Sequence, residues 1–339
     1  MSTARRGDVV VVTGASAGIG RAIAEEFARH GARLALLARS PQRLEVVRRS
    51  VVALGGEAIV CPLDVADADA VEQAAERIER ELGPIDIWIN NAMATIFSPL
   101  HEVQAEELRR VTEVTYLGTA YGTLAALGRM RARRRGCIVQ VGSALAYRAI
   151  PLQGAYCAAK FAIRGLTDAL RSELIHDRLP IHLTMVQLPA HNTPQFDWAR
   201  SRLRRALQPV PPIYQPEIAA RAVHHAAYAR RRELWVGWPT ILAILGAGMF
   251  PGYADRRLAK QAFVGQMDAR LDSPRRPDNL FAPAPGEYGA HGRFDARSRR
   301  HSLMLWLNLN RGRVLTAMLG VATGLGLALA RRKATRLLR

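Results

Sequence analysis

The chain has 339 residues, 49% of them apolar, which suffices for one large domain or two ordinary ones and excludes wholesale disorder. Lys and Arg number 48 against 29 acids, a net charge of +19. Three cysteines, Cys61, Cys137 and Cys157, lie in apolar runs; they exclude a disulfide scaffold, and no zinc-ligand spacing surrounds them. The N-terminal MSTARRGD runs straight into VVVVTG, with no apolar stretch long enough for a signal peptide, so a cytosolic main domain is expected.

Residues 9–12 are wholly apolar, as a central parallel strand buried on both faces requires. A helical pattern over 19–30 stops at Gly31, and 33–38 (RLALLA) reads as the next strand. Pro41 opens a helix that ends at Gly55 and Gly56. Residues 58–61 predict a third strand, 67–82 a third helix closed by Gly83, and 85–89 a fourth strand. A long helical pattern covers 105–135, followed by a strand at 137–141, a helix at 154–176, a strand at 181–187 and a seventh strand at 233–236. This alternation predicts an α/β fold, a Rossmann-type doubly wound parallel sheet of about seven strands with helices on both faces.

Composition then divides the chain into a catalytic domain over 1–260, a Pro/Gly-rich, poorly ordered linker over 261–300, and a basic, apolar C-terminal segment over 301–339. Residues 291–339 hold eleven basic residues and one acid. Within them, 314–330 carry no charge and stand between Arg311, Arg313 and Arg331, Arg332, Lys333. About 17 apolar residues is the lower limit for a bilayer span. The segment therefore reads as a spanning helix, with Gly320 and Gly324 as a GxxxG contact, as an interfacial helix, or as a buried soluble one. Arginines bracketing an apolar run favour membrane lipids as partner over nucleic acid, for which no aromatic-interleaved module is present. A second apolar run at 238–250 contains Pro239 and is too short to span; it is expected to touch the interface or wall a substrate pocket.

The turn after the first strand reads Thr13-Gly14-Ala15-Ser16-Ala17-Gly18-Ile19-Gly20. Glycines there allow a tight turn, bring backbone N–H groups close to a pyrophosphate and let the helix pack closely, while the helix N-terminus adds partial positive charge. The spacing is GxxxGxG rather than GxGxxG, so the loop gains its meaning from the strand before it and the helix after it. Arg39, at the end of the second strand, suits the 2′-phosphate of NADP(H); an acid there would suit NAD(H), which stays possible. Ser16 offers a further hydroxyl to that phosphate.

Tyr156 and Lys160 are four apart, one turn of a helix, so both lie on one face. A free phenol titrates near 10, too high for efficient proton exchange at neutral pH, and a nearby ammonium lowers it. Only three lysines occur in the chain, so a lysine here marks a place where the broad arginine fork would not serve. Ser143, 13 residues before Tyr156 and just after the fifth strand, would hold a carbonyl oxygen against Tyr156.

On these motifs the chain resembles the classical short-chain dehydrogenase/reductases over about residues 6–250. The resemblance rests on TGASAGIG at 13–20, Asp64-Val65, Asn90-Asn91-Ala92, Ser143, YCAAK at 156–160 and the Pro189 to Thr193 element, in that order. It implies an oxidoreductase acting on CH–OH groups, with Asp64 and Val65 beside the adenine, Asn90 near the adenosine ribose, Thr193 near the nicotinamide amide and Lys160 on the nicotinamide ribose. It also implies a homodimer or homotetramer. Three positions depart from the pattern: Met93 and Ala190 stand where glycine is usual, and Thr115 stands where an asparagine helps hold a relay water. The expected function is NADP(H)-dependent interconversion of a carbonyl and a secondary alcohol on an apolar small molecule. Thr115 keeps open an alternative, a membrane-attached cofactor-binding sensor or scaffold with little turnover. His191, beside the expected pocket, reads as a solvated loop histidine rather than a second acid.

Overall fold

The computed structural model describes residues 7–273, 276–316 and 323. Its main sheet has seven strands: β1 (Val9–Thr13), β2 (Arg33–Ala38), β3 (Glu57–Pro62), β4 (Ile87–Asn90), β5 (Gly136–Val141), β6 (Ile181–Gln187) and β7 (Glu233–Trp235). All pairs are parallel and the order is β7-β6-β5-β4-β1-β2-β3. Strand order reverses between β1 and β4, which opens a crevice at the carboxyl ends of those strands.

The helices are α1 (Gly18–Arg29), α2 (Pro41–Ala53), α3 (Ala68–Leu82), α4 (Ala105–Thr112), α5 (Gly118–Arg133), α6 (Gly154–His176), α7 (Gln195–Trp198), α8 (Pro216–Tyr228), α9 (Trp238–Met249), α10 (Pro251–Gly265) and α11 (Leu303–Leu309). Side chains alternate across a strand, and β1 divides its valines accordingly. Val10 and Val12 pack with Ile23 and Phe27 of α1, Val47 of α2 and Ile218 of α8. Val9 and Val11 pack with Ile78 of α3, Ala126 of α5 and Leu170 of α6. Both faces of β1 are thus sealed, which is why its sequence is uninterruptedly apolar. Local caps fix two helix starts beside the crevice: Ser40 Oγ accepts from Arg43 N at 3.4 Å, and Asp67 Oδ1 accepts from Ala70 N at 3.0 Å.

The long helical pattern over 105–135 is interrupted. A π-helical turn at Glu113–Leu117 separates α4 from α5, and the buried Thr115 sits in it. Its Oγ1 donates to the Ala94 carbonyl and accepts from the Ala94 N–H, each at 3.0 Å. The hydroxyl therefore pins the widened turn to the segment that follows β4.

The segment expected to be a loose linker is part of the folded body. Residues 267–271 pair antiparallel with 205–207, and Ser298–Arg299 pairs with Ile213–Tyr214. Leu280, Ala284 and Phe294 are buried, and Asp295 accepts from Asn192 Nδ2 at 2.8 Å and Gln215 Nε2 at 2.9 Å. Composition misleads here because the segment is held by its carbonyls and by arginines from elsewhere, not by a periodic apolar face of its own. Helix α11 also docks on the body: Leu305 is buried, and Arg231 donates to the Asn308 side chain at 2.9 Å. Of the uncharged run at 314–330, residues 317–322 and 324–330 lie outside the described residues, as do 331–339. Among the described residues no helix is long and apolar enough to cross a membrane.

Phe294 stacks edge-on against Phe196 at 5.8 Å and joins a cluster with Phe97 and Ile213. Phe294→Ala should lower stability by about 3 kcal/mol in urea unfolding, the cost of truncating a buried aromatic. An unchanged midpoint would show that residues 267–299 are not part of the cooperative fold.

Candidate active site

A cavity of about 760 Å³ runs along the carboxyl edge of the sheet, lined at one end by Arg39 and Asp64, at its centre by the glycine loop, and at the other by Ser143, Tyr156 and Lys160. The glycine loop is shaped for close approach. Gly14 and Gly18 have φ of +67° and +57°, and a Cβ on Gly20 would stand 2.1 Å from the Gly14 carbonyl oxygen. With Ser16 and Ile19 these residues line the cavity where α1 begins. A side-chain-free cradle at a helix N-terminus fits a dinucleotide pyrophosphate.

The Arg39 end of the cavity carries more charge than the sequence suggested. Asp64 Oδ1 accepts from Ala66 N at 3.0 Å, and its Oδ2 is ion-paired with Arg110. Val65 lines the cavity and packs against Gly118. Arg39 lies beside this pair; burial lowers its pKa, Asp64 opposes that, and Arg110 and Arg43 add to it. Arg43 and Arg110 carried no sequence signal, because they stand on helices in no fixed spacing from the glycine loop.

At the other end, Ser143 follows β5, and its Oγ caps the next turn by accepting from Leu145 N at 3.1 Å. Tyr156 and Lys160 are both buried in the first turns of α6. Lys160 Nζ donates to the Val141 carbonyl at 2.7 Å and stands 5.6 Å from the centre of the Tyr156 ring. Burial lowers the Lys160 pKa to about 8. Burial also raises that of Tyr156, with the Ser143 hydroxyl acting the other way. Proximity to lysine was expected to depress Tyr156; in this arrangement desolvation dominates and the phenol holds its proton at neutral pH. Thr193 is buried and lines the cavity, with its methyl end against Gly18.

Three expectations are corrected. Asn90 does not face the cleft: its Oδ1 accepts from Trp88 Nε1 at 2.9 Å, and its Nδ2 donates to Thr123 and Gln140, each at 3.0 Å. Its neighbour Asn91 lines the cavity and donates to the Thr13 carbonyl at 2.9 Å. Successive residues at a strand end face opposite ways, so the pair divides between core and cleft. Thr115 is not in the cavity wall either; its hydroxyl is committed to Ala94, while Val114 lines the cavity. His191 is not solvated. It is 4% exposed, its Nδ1 lies 2.9 Å from the Pro189 carbonyl, and burial lowers its pKa to about 4, so it is neutral.

Away from the cleft, Glu26, His30 and His224 bring potential ligand atoms within 4.8 Å of one another where α1 meets α8, and the two imidazoles stack at 4.0 Å. No spacing rule flags this group, because His224 is far from the other two in sequence.

Residues 8–202 match the family model described as short chain dehydrogenase. The uncharacterized oxidoreductase YxnA of Bacillus subtilis is 32% identical over 80% of this chain and 77% of its own length. A 3-dehydrosphinganine reductase of Danio rerio is 35% identical over 55% of this chain and 57% of its own length. Among solved structures, a metagenomic short-chain oxidoreductase in complex with NADP is similar with a TM-score of 0.59 and 29% identity, over 69% of this chain and 98% of that one.

The Asn90 network yields a direct test. Asn90→Ala leaves Trp88 Nε1 and the Thr123 and Gln140 side chains short of a buried partner. Stability should fall by about 2 kcal/mol or more, while dinucleotide affinity, measured by fluorescence titration of the folded variant, stays within about twofold of wild type since the side chain never reaches the cleft. A large loss of affinity without loss of stability would return Asn90 to the binding site.

Proposed function

Because the chain belongs to the short chain dehydrogenase family and is an oxidoreductase of CH–OH groups, we propose that it uses NADP(H) to interconvert an apolar carbonyl compound and its secondary alcohol. The observation that carries the reading is one cavity joining the glycine cradle and Arg39 to Ser143, Tyr156 and Lys160. The dinucleotide, when bound, supplies or accepts the hydride at the carbonyl carbon. Gly14, Ser16, Gly18, Ile19 and Gly20 would hold its pyrophosphate, Arg39 its 2′-phosphate, and Thr193 and Lys160 its nicotinamide half.

The chain's own residues manage the proton. In reduction the Tyr156 phenol gives its proton to the oxygen as charge develops there, and Ser143 donates to the same oxygen to hold it in place. The buried Lys160 ammonium stabilises the phenolate left behind, which regains its proton from water. Burial keeps Tyr156 protonated at neutral pH, the form that reduction needs, but makes the phenol a weaker acid, so the transfer depends on Lys160 stabilising the phenolate. Lys160 loses its charge as pH rises through about 8 in the free protein, so the reductive kcat/KM should fall above that pH.

Substrate class is argued from the far wall. Ile150, Val210, Pro239, Leu242 and Phe250 line the cavity, so the apolar run at 238–250 forms its mouth. Trp238, Leu242, Leu245 and Met249 lie on one face of α9 and are each more than half exposed, an apolar rim that suits a long-chain or polycyclic carbonyl. The name of the Danio rerio relative, a reductase of 3-dehydrosphinganine, supports a lipid-like substrate. Dimer or tetramer formation follows from the family resemblance and stays part of the proposal.

The test is turnover with NADPH across ketones and aldehydes of increasing chain length. Tyr156→Phe should cut turnover by at least ~10² with NADPH binding retained, and long apolar carbonyls should be preferred over short polar ones. Near-normal turnover in Tyr156→Phe would remove the proton assignment. Tight NADPH binding with no turnover on any substrate would favour the sensor or scaffold. Separately, Arg39→Asp should weaken NADPH and strengthen NADH, as judged by dissociation constants, because an acid repels the 2′-phosphate and accepts from a free hydroxyl. Unaltered preference would dismiss Arg39 as the selector.

A further inference from the structure

Residues 276–299 lie outside the matched family region, and Asn279, Pro283 and Ala284 among them wall the cavity on the side of Arg39. Their anchors follow one another along it. Asp278 Oδ2 accepts from Arg200 Nε at 2.8 Å, and Asn279 N donates to the Trp198 carbonyl at 3.0 Å. Leu280 is fully buried in a cluster with Val65, Val111 and Val114. The carbonyls of Asn279 and Leu280 accept from Arg39 Nη2 and Nη1 at 2.5 and 3.4 Å, and Leu280 also accepts from Arg110 Nε at 3.0 Å. The carbonyls of Ala284 and Gly286 accept from Arg43, whose guanidinium lies 4.7 Å from the centre of the Tyr288 ring. Gly289 then accepts from the N–H of Gly18 in the glycine loop at 3.0 Å. Gly292 passes so close to Thr193 that a Cβ would stand 2.5 Å from its carbonyl oxygen.

Two features show what this arrangement does. First, the segment offers Arg39 and Arg43 neutral carbonyls rather than carboxylates. Both guanidiniums are oriented without being neutralised, and Asp64 beside them is already paired with Arg110. A cluster so charged is complementary to a dianion, and each guanidinium has N–H donors beyond those used on carbonyls. Second, apart from the Gly289 carbonyl on the Gly18 N–H, which a pyrophosphate in the cradle would replace, the segment walls the cavity rather than filling it. Asn279, Pro283 and Ala284 line the same space as Ser143 and Tyr156, and about 760 Å³ stays open beneath them.

We propose that residues 278–292 are a strap that completes the cofactor site in cis, holding Arg39 and Arg43 toward the 2′-phosphate and lifting to let the dinucleotide exchange. The proposal rests on the NADP(H) reading above. The strap raises affinity by pre-orienting long side chains whose ordering would otherwise be charged against binding, and it slows release by covering the Arg39 side of the cavity.

Hydrogen exchange of the full chain, with and without NADPH or NADH, tests this together with stopped-flow release of each nucleotide. Amides within 278–292 should exchange more slowly with NADPH bound. Leu280→Ala, which unseats the buried anchor, and Tyr288→Ala, which removes the platform under Arg43 at a partly exposed position, should each release NADPH at least tenfold faster. Faster exchange on binding would mean displacement of the strap by the nucleotide, and would overturn the proposal; so would unchanged exchange, or wild-type release in both variants. Equal affinity of the wild type for NADH and NADPH would instead defeat the NADP(H) reading. In that case protection of the strap by both nucleotides identifies it still as a gate, and protection by neither refutes it.

Discussion

At the carboxyl edge of the sheet, the turn after β1 and the turn after β4 meet backbone to backbone, with no room for a side chain between them. A Cβ on Gly14 would lie 2.9 Å from Ala92 Cα, and one on Gly20 would collide with the Gly14 carbonyl. Asn91 donates across the same contact to Thr13, and the Thr13 hydroxyl accepts from the N–H groups of Asn91 and Ala92 at 2.9 and 3.0 Å. This contact fixes the start of α1 against the end of β4, so the glycine cradle and the segment carrying Asn91 form one rigid floor. Parallel register then delivers the ends of β5 and β6, with Ser143 and Thr193 beyond them, to the same edge. The cleft is a consequence of strand direction, and its closeness is a consequence of two missing side chains.

Charge on this floor is arranged in two unlike ways. At the Tyr156 end, a tyrosine and a lysine are buried together, and desolvation works against the charged form of each. At the Arg39 end, Arg110 is ion-paired with Asp64, and Arg39, Arg43 and Arg110 are held by main-chain carbonyls of residues 279–286. The first arrangement keeps a proton available; the second keeps positive charge available. Lys160, Arg39 and Arg43 are each hydrogen-bonded to neutral carbonyls, whereas Arg110 is paired with the Asp64 carboxylate.

Much of this was legible in the sequence, and the limits have physical causes. The strands and helices around the cleft are set by local periodicity, so VVVV, RLALLA and the glycine stops place them within a few residues. Tyr156 and Lys160 were legible because a helix turns spacing into adjacency. Asn90 was misplaced because one residue of parity at a strand end decides between core and cleft. The π-helical turn around Thr115 was hidden because it depends on a side-chain tie to Ala94, across an interval that periodicity does not register. Residues 276–299 were read as a linker because their partners, Arg39 and Arg43, are about 240 residues away in sequence.

If a hydride passes between NADP(H) and a carbonyl carbon in this cleft while Tyr156 moves the proton, the isotopes of the product record both steps. The most direct measurement is product analysis by NMR after turnover of a long-chain ketone with NADPH deuterated at the transferring C4 position. Deuterium at the carbinol carbon, with the hydroxyl proton drawn from water, is the result this account predicts. Alcohol product lacking that deuterium, or no alcohol with any carbonyl tried although NADPH binds, would contradict it.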